Sequence, residues 1–122
     1  MCAVHTMHPE EHVPLAPLVF DVLLALTDGD QHGYRIMRDV SERSAGSVTL
    51  HAGTLYRTLA RLLELGFIEE LDERPAADVD DQRRRYYRLT PFGLDVARAE
   101  ARRLAQQVES ARRRRLLEGQ IR

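Results

Sequence analysis

Apolar residues recur along this chain with two different periods, and the change between them outlines a fold. Up to about residue 65 they return every three or four positions, as on helices; from 67 to 89 they alternate, as on strands. A first helix is expected over residues 15–27. Leu18, Val19, Phe20, Val22, Leu23, Leu24 and Leu26 cover most of its circumference, interrupted by Asp21 and Ala25. A helix apolar nearly all round must be buried on more than one side; in so small a domain, one side is expected to belong to another subunit. "DGD" at 28–30 stops it. A second helix over 32–43 turns Gly33, Ile36, Met37 and Val40 inward, while Tyr34 and Arg38, four apart, share its outer face. "SAG" ends it, and "SVTL" at 47–50 alternates like a very short strand.

The third helix, 52–65, closes on Gly66, a favoured C-terminal cap. With Leu55 as origin and about 100° per residue, Leu59, Leu62 and Gly66 fall within about 40° of it. Arg57 lies near 200°, Arg61 near 240° and Thr54 near 260°, forming one polar ridge that points away from the core, with Tyr56 on the flank near 100°. "FIEELDE" (67–73) and "RRYYRL" (84–89) read as two strands of a hairpin. Alternation places Tyr87 and Leu89 on one face and Arg84, Tyr86 and Arg88 on the other. The tip between them carries Asp72, Glu73, Asp78, Asp80 and Asp81, which could pair with nearby arginines. "TPFG" then sets Thr90 as N-cap and Pro91 at the first helical position of a long helix reaching about residue 117.

The resulting fold class is mainly α with a small β-hairpin: a winged helix-turn-helix over 14–90, a long C-terminal dimerisation helix over 91–117, a flexible lead-in over 1–13 and a frayed end over 118–122. On the long helix Leu94, Ala97, Ala101, Leu104, Val108 and Ala111 are spaced 3, 4, 3, 4, 3, the seam of a coiled-coil contact. Leu18 and Val22 of the first helix are expected to join it in a homodimer. An apolar cavity between the first and last helices, lined by Phe20, Leu24, Leu104 and Val108, is a candidate effector site; the alternative is that these residues are packed core.

In a helix-turn-helix the second helix enters the major groove of double-stranded DNA. Arg can bond guanine bidentately and Thr can meet a base edge or the thymine methyl. Candidate DNA contacts are therefore Thr54, Tyr56, Arg57 and Arg61 on that helix, Tyr34 and Arg38 on the helix before it, and Arg84 and Arg85 on the wing.

Composition changes this picture little. The 122 residues suffice for one domain, with 43% hydrophobic and 30% charged residues. Net charge is −1, so global charge does not announce a polyanion partner. All 18 basic residues are Arg, which a GC-rich genome would also produce. The longest apolar run falls well short of the roughly 20 residues of a membrane span. No basic segment precedes an apolar core at the N-terminus, so no secretion signal is expected. With Cys2 alone, no internal disulfide can form, and a cytoplasmic location is expected. His5, His8 and His12 lack a completing cluster beyond Glu10, Glu11 and Cys2, so neither a metal nor a cofactor is expected. No catalytic constellation is present. A winged-helix module that binds protein and does not read DNA is the alternative function.

"DGDQHGYRIMRDV", "GTLYRTLARLLELGFIEE" and "RRRYYRLTPFG" together resemble the signature stretches of the PadR family of transcriptional regulators. The likeness spans roughly residues 15–117. It implies a dimeric, usually repressing DNA-binding protein that leaves its operator on an inducing signal. A single C-terminal helix resembles the short subgroup. Members that stack planar aromatic drugs do so on a tryptophan, and this chain has none.

Overall fold

The computed structural model describes residues 8–44, 46, 50–71 and 85–117. Four helices and a small sheet follow a short 3-10 turn, Pro9–His12. Helix α1 (Pro17–Thr27) starts on Pro17, whose missing N–H costs nothing at that position. It ends at Asp28 before Gly29, whose φ of +139° suits glycine and few other residues. Strand β1 (Gln31–His32) leads straight into α2 (Gly33–Arg43), which His32 caps by accepting the Arg35 N–H on Nδ1 at 3.2 Å. Helix α3 (Ala52–Leu65) closes on Gly66 at φ +80°, and the Phe67 N–H bonds back to the Leu62 carbonyl at 3.0 Å. Strands β2 (Ile68–Leu71) and β3 (Tyr86–Leu89) pair antiparallel, Ile68 opposite Leu89 and Leu71 opposite Tyr86. Helix α4 (Pro91–Arg113) completes the chain order.

The sheet has the order β1–β3–β2: beside the expected hairpin its third strand is Gln31–His32, which the alternation pattern does not mark. Gln31 faces Tyr87 and His32 faces Tyr86 across β1 and β3. Gln31 also donates through Nε2 to the Ala25 carbonyl at 2.7 Å, which ties this edge to the end of α1. The strand predicted at 47–50 is not seen at Leu50; residues 47–49 lie outside the described residues, as do 1–7, 72–84 and 118–122.

The core gathers Val22, Leu23 and Leu26 of α1, Ile36 and Val40 of α2, Leu55, Leu59 and Leu62 of α3, Phe67, Ile68, Tyr87 and Val96. The inward stripes expected for α2 and α3 are the ones buried. At the start of α4, Thr90 accepts the Gly93 N–H at 2.9 Å and donates to the Gly66 carbonyl at 2.6 Å. A Cβ on Gly93 would stand 1.9 Å from the Phe67 carbonyl oxygen, so only glycine fits this crossing.

Two expectations are corrected here. The lead-in is not a free tail from residue 9 onward, because the 3-10 turn packs on α4. His12 sets its ring edge-on to Phe67 and Phe92, with centroids 5.2 and 5.6 Å away. Second, the seam along α4 is not one continuous partner surface. Ala97 is 6% exposed and Val22 fully buried within their own chain, so neither has surface left for a second subunit. The first half of α4 docks on its own domain through Gly93, Val96, Ala97, Ala99 and Glu100. Among the described residues no helix is long and apolar enough to cross a membrane.

Candidate nucleic-acid interface

Helix α3 presents its polar ridge because its other side is fully used. Leu55, Leu59 and Leu62 are at most 1% exposed, which turns Arg57 and Arg61 outward. Thr54, half-buried, accepts a hydrogen bond from Arg57 Nη2 at 3.4 Å. Arg61 Nη1 lies 3.5 Å from Glu64 Oε1, one turn on. The α3 N-cap, His51, is exposed and makes no capping bond with its side chain.

Tyr56 has a double role. It is 44% exposed, yet its hydroxyl lies where a Cβ on Gly33 would come within 2.9 Å. Gly33 thus lets the two helices of the motif approach, with the Tyr56 ring bridging them. Beside that contact, on the first turn of α2, stand Tyr34, 57% exposed, and Arg35. Arg38 is exposed as well, 3.5 Å from Glu42. Arg35 was not singled out in the sequence because neither spacing nor composition separates it from other surface arginines.

The wing keeps the expected alternation: Tyr87 is 4% exposed and Arg88 faces solvent. Burial, then the Glu70 carboxylate, pushes the Tyr87 hydroxyl up from its ordinary value. Tyr86 packs edge-on against His32, centroids 5.4 Å apart. The wing's cations are not bare. Arg85 Nη1 meets Glu70 Oε2 at 2.6 Å, a bond that raises the Arg85 pKa. Arg88 reaches Asp30 at 3.5 Å and Glu69 at 3.4 Å. Arg84 and the acidic tip lie outside the described residues.

Two clefts among the described residues are lined by residues other than the predicted effector set. One of about 630 Å³ lies on the far half of α4, beside Arg103, Gln107, Ala111 and Leu116. Another of about 340 Å³ lies between Asp28, Gln31, Arg35 and Tyr86. Neither touches Phe20, Leu24, Leu104 or Val108. Phe20 packs against the core, and Val108 is 45% exposed. Among the described residues no group of three His, Cys, Asp or Glu could hold a metal ion.

The sequence profile of the transcriptional regulator PadR-like family matches residues 22–99, from the middle of α1 to the first half of α4. The chain belongs to the PadR-like family. A PadR family regulator from Clostridium difficile resembles it at 27% identity and a TM-score of 0.64, covering 77% of this chain and 95% of that one. A regulator from Clostridium thermocellum shares the fold at 24% identity and TM-score 0.64, over 79% of this chain and 87% of that one. Bacillus subtilis PadR, solved in complex with operator DNA, shares it at 22% identity and TM-score 0.58, over 70% of this chain and 46% of that one. An uncharacterized protein of Lysinibacillus sphaericus is 33% identical over 73 residues, 59% of this chain and 63% of its own. The match thus spans less than two thirds of that relative. The PadR-like family is one of transcriptional regulators.

Proposed function

We propose that this PadR-like protein binds double-stranded DNA as a homodimer, with α3 in the major groove and the wing along the phosphate backbone. The observation that carries the proposal is the ridge of exposed Arg57 and Arg61 with half-buried Thr54, on the second helix of a helix-turn-helix whose Leu55, Leu59 and Leu62 are buried on the other side. Tyr34, Arg38, Tyr56, Arg85 and, by sequence, Arg84 flank it. Dimerisation rests on Leu104, Val108, Ala101 and Ala111 of α4 with Leu18 and Leu94, the seam positions not consumed within the chain. A two-fold dimer implies an inverted-repeat operator with half-sites about one helical turn apart. Its family supports repression, relieved by an inducing signal.

A mobility shift with the DNA upstream of its own gene, in excess competitor, tests the proposal. A sequence-dependent shift is expected. No shift even at low salt would favour a winged-helix module that binds protein instead.

A further inference from the structure

The described arginines near the proposed DNA face differ in their partners: Arg38 and Arg61 lie 3.5 Å from Glu42 and Glu64 on their own helices. Arg57 and Arg35 have no carboxylate partner among the described residues. The wing's Arg85 and Arg88 are both engaged by carboxylates: Arg85 by Glu70 at 2.6 Å, Arg88 by Glu69 at 3.4 Å and Asp30 at 3.5 Å. These carboxylates are set by the sheet. Glu69 stands directly across from Arg88 in the β2–β3 register, and Glu70 across from Tyr87. The Glu70 side chain is 30% exposed and that of Arg85 61%, so the guanidinium is the freer of the two partners.

We propose that Glu69, Glu70 and Asp30 form a carboxylate gate that holds the wing arginines in the free protein and lowers binding to DNA of arbitrary sequence. This rests on the DNA-binding reading above. Contacts to phosphate supply essentially all non-specific affinity. A phosphate approaching the wing competes with these carboxylates for Arg85 and Arg88, and the competition reduces what it gains. That loss weakens every sequence equally. Specificity is a ratio of the two affinities, so the gate lowers affinity overall and leaves that ratio unchanged. An exposed ion pair is weak enough for phosphate to exchange with it.

The test is fluorescence anisotropy with a short labelled duplex of scrambled sequence, titrated at several salt concentrations. Glu70→Gln should raise affinity for it roughly two- to five-fold, the scale of releasing one exposed pair. It should also steepen the dependence of log K on log salt by about one phosphate contact. In the Arg85→Ala background the same change should do nothing. Glu109→Gln removes a carboxylate that also bridges arginines, Arg112 and Arg113, near the far end of α4, and should leave affinity unchanged. Wild-type binding with an unaltered Glu70→Gln variant overturns the gate alone. An equal gain in Glu109→Gln, or in the Arg85→Ala background, reduces it to net charge and also overturns it. No binding by any variant at low salt overturns the gate and the DNA-binding reading together.

Discussion

Arg57 and Arg61 were legible as an outward ridge because three leucines one turn apart fix the roll of α3 before any tertiary contact is known. Their partners were not legible, since an i to i+3 pair such as Arg61 with Glu64 competes with many rotamers. Arg57→Ala and Arg61→Ala should leave circular dichroism unchanged and weaken operator binding by about 1–3 kcal/mol if each reads a base. Arg57, which need not leave a carboxylate, should cost the more. Glu100 is the opposite case: a charged residue outside the apolar spacing of α4, it is nevertheless only 2% exposed. Arg103 bonds both its oxygens, at 2.9 and 2.8 Å, and holds the carboxyl below its usual value against the pull of burial, helped by the Leu15 backbone N–H. Arg103 lies one turn along the same helix and is a local partner, but the Leu15 N–H comes from the N-terminal segment, which no local pattern announces. Because the folded carboxyl titrates below its unfolded value, its stabilisation is complete above the ordinary carboxylate pKa and is lost as pH falls through the lowered one. Glu100→Gln should destabilise by about 1–3 kcal/mol at neutral pH and flatten that acid limb, as read by denaturant unfolding at two pH values.

At the scale of elements, α3 matches its expected bounds because a periodic stripe and a left-handed glycine cap agree on them. Strand β1 escaped because two residues cannot display a period; it exists through its pairing with β3. The alanine-rich spacing of α4 fits docking on its own domain as well as on a second helix. The first half of α4 docks on its own domain, and the exposed Val108 lies beyond that contact. The crossing at Gly93 is where α3, β2 and α4 meet. Gly93→Ala would drive a methyl into the Phe67 carbonyl and should lower stability by about 3 kcal/mol or more, since a backbone neighbour cannot rotate aside. Thermal unfolding by circular dichroism checks this.

For the whole molecule, the proposed dimer makes a sharp distinction. Val108 is exposed within the chain, so Val108→Asp should leave the fold intact and prevent the dimer alone. Leu104→Asp, at a half-buried position, should do the same with some loss of stability. Sedimentation at micromolar concentration should find monomers, with loss of specific DNA binding although every DNA-facing residue is untouched. A burial of unpaired carboxylates at the seam costs several kcal/mol. Dimers from both variants would move the interface elsewhere. The joint at Thr90, finally, bears on how such regulators diverge. Thr90 bonds the Gly66 carbonyl that closes α3 and the Gly93 N–H that opens α4, so the two helices share one hinge-free corner. One residue inserted there would rotate α4 by about 100° and aim its seam away from any partner. Lineages are therefore expected to accept insertions in the wing tip and to change half-site spacing by substitution farther along α4, while this corner keeps its length.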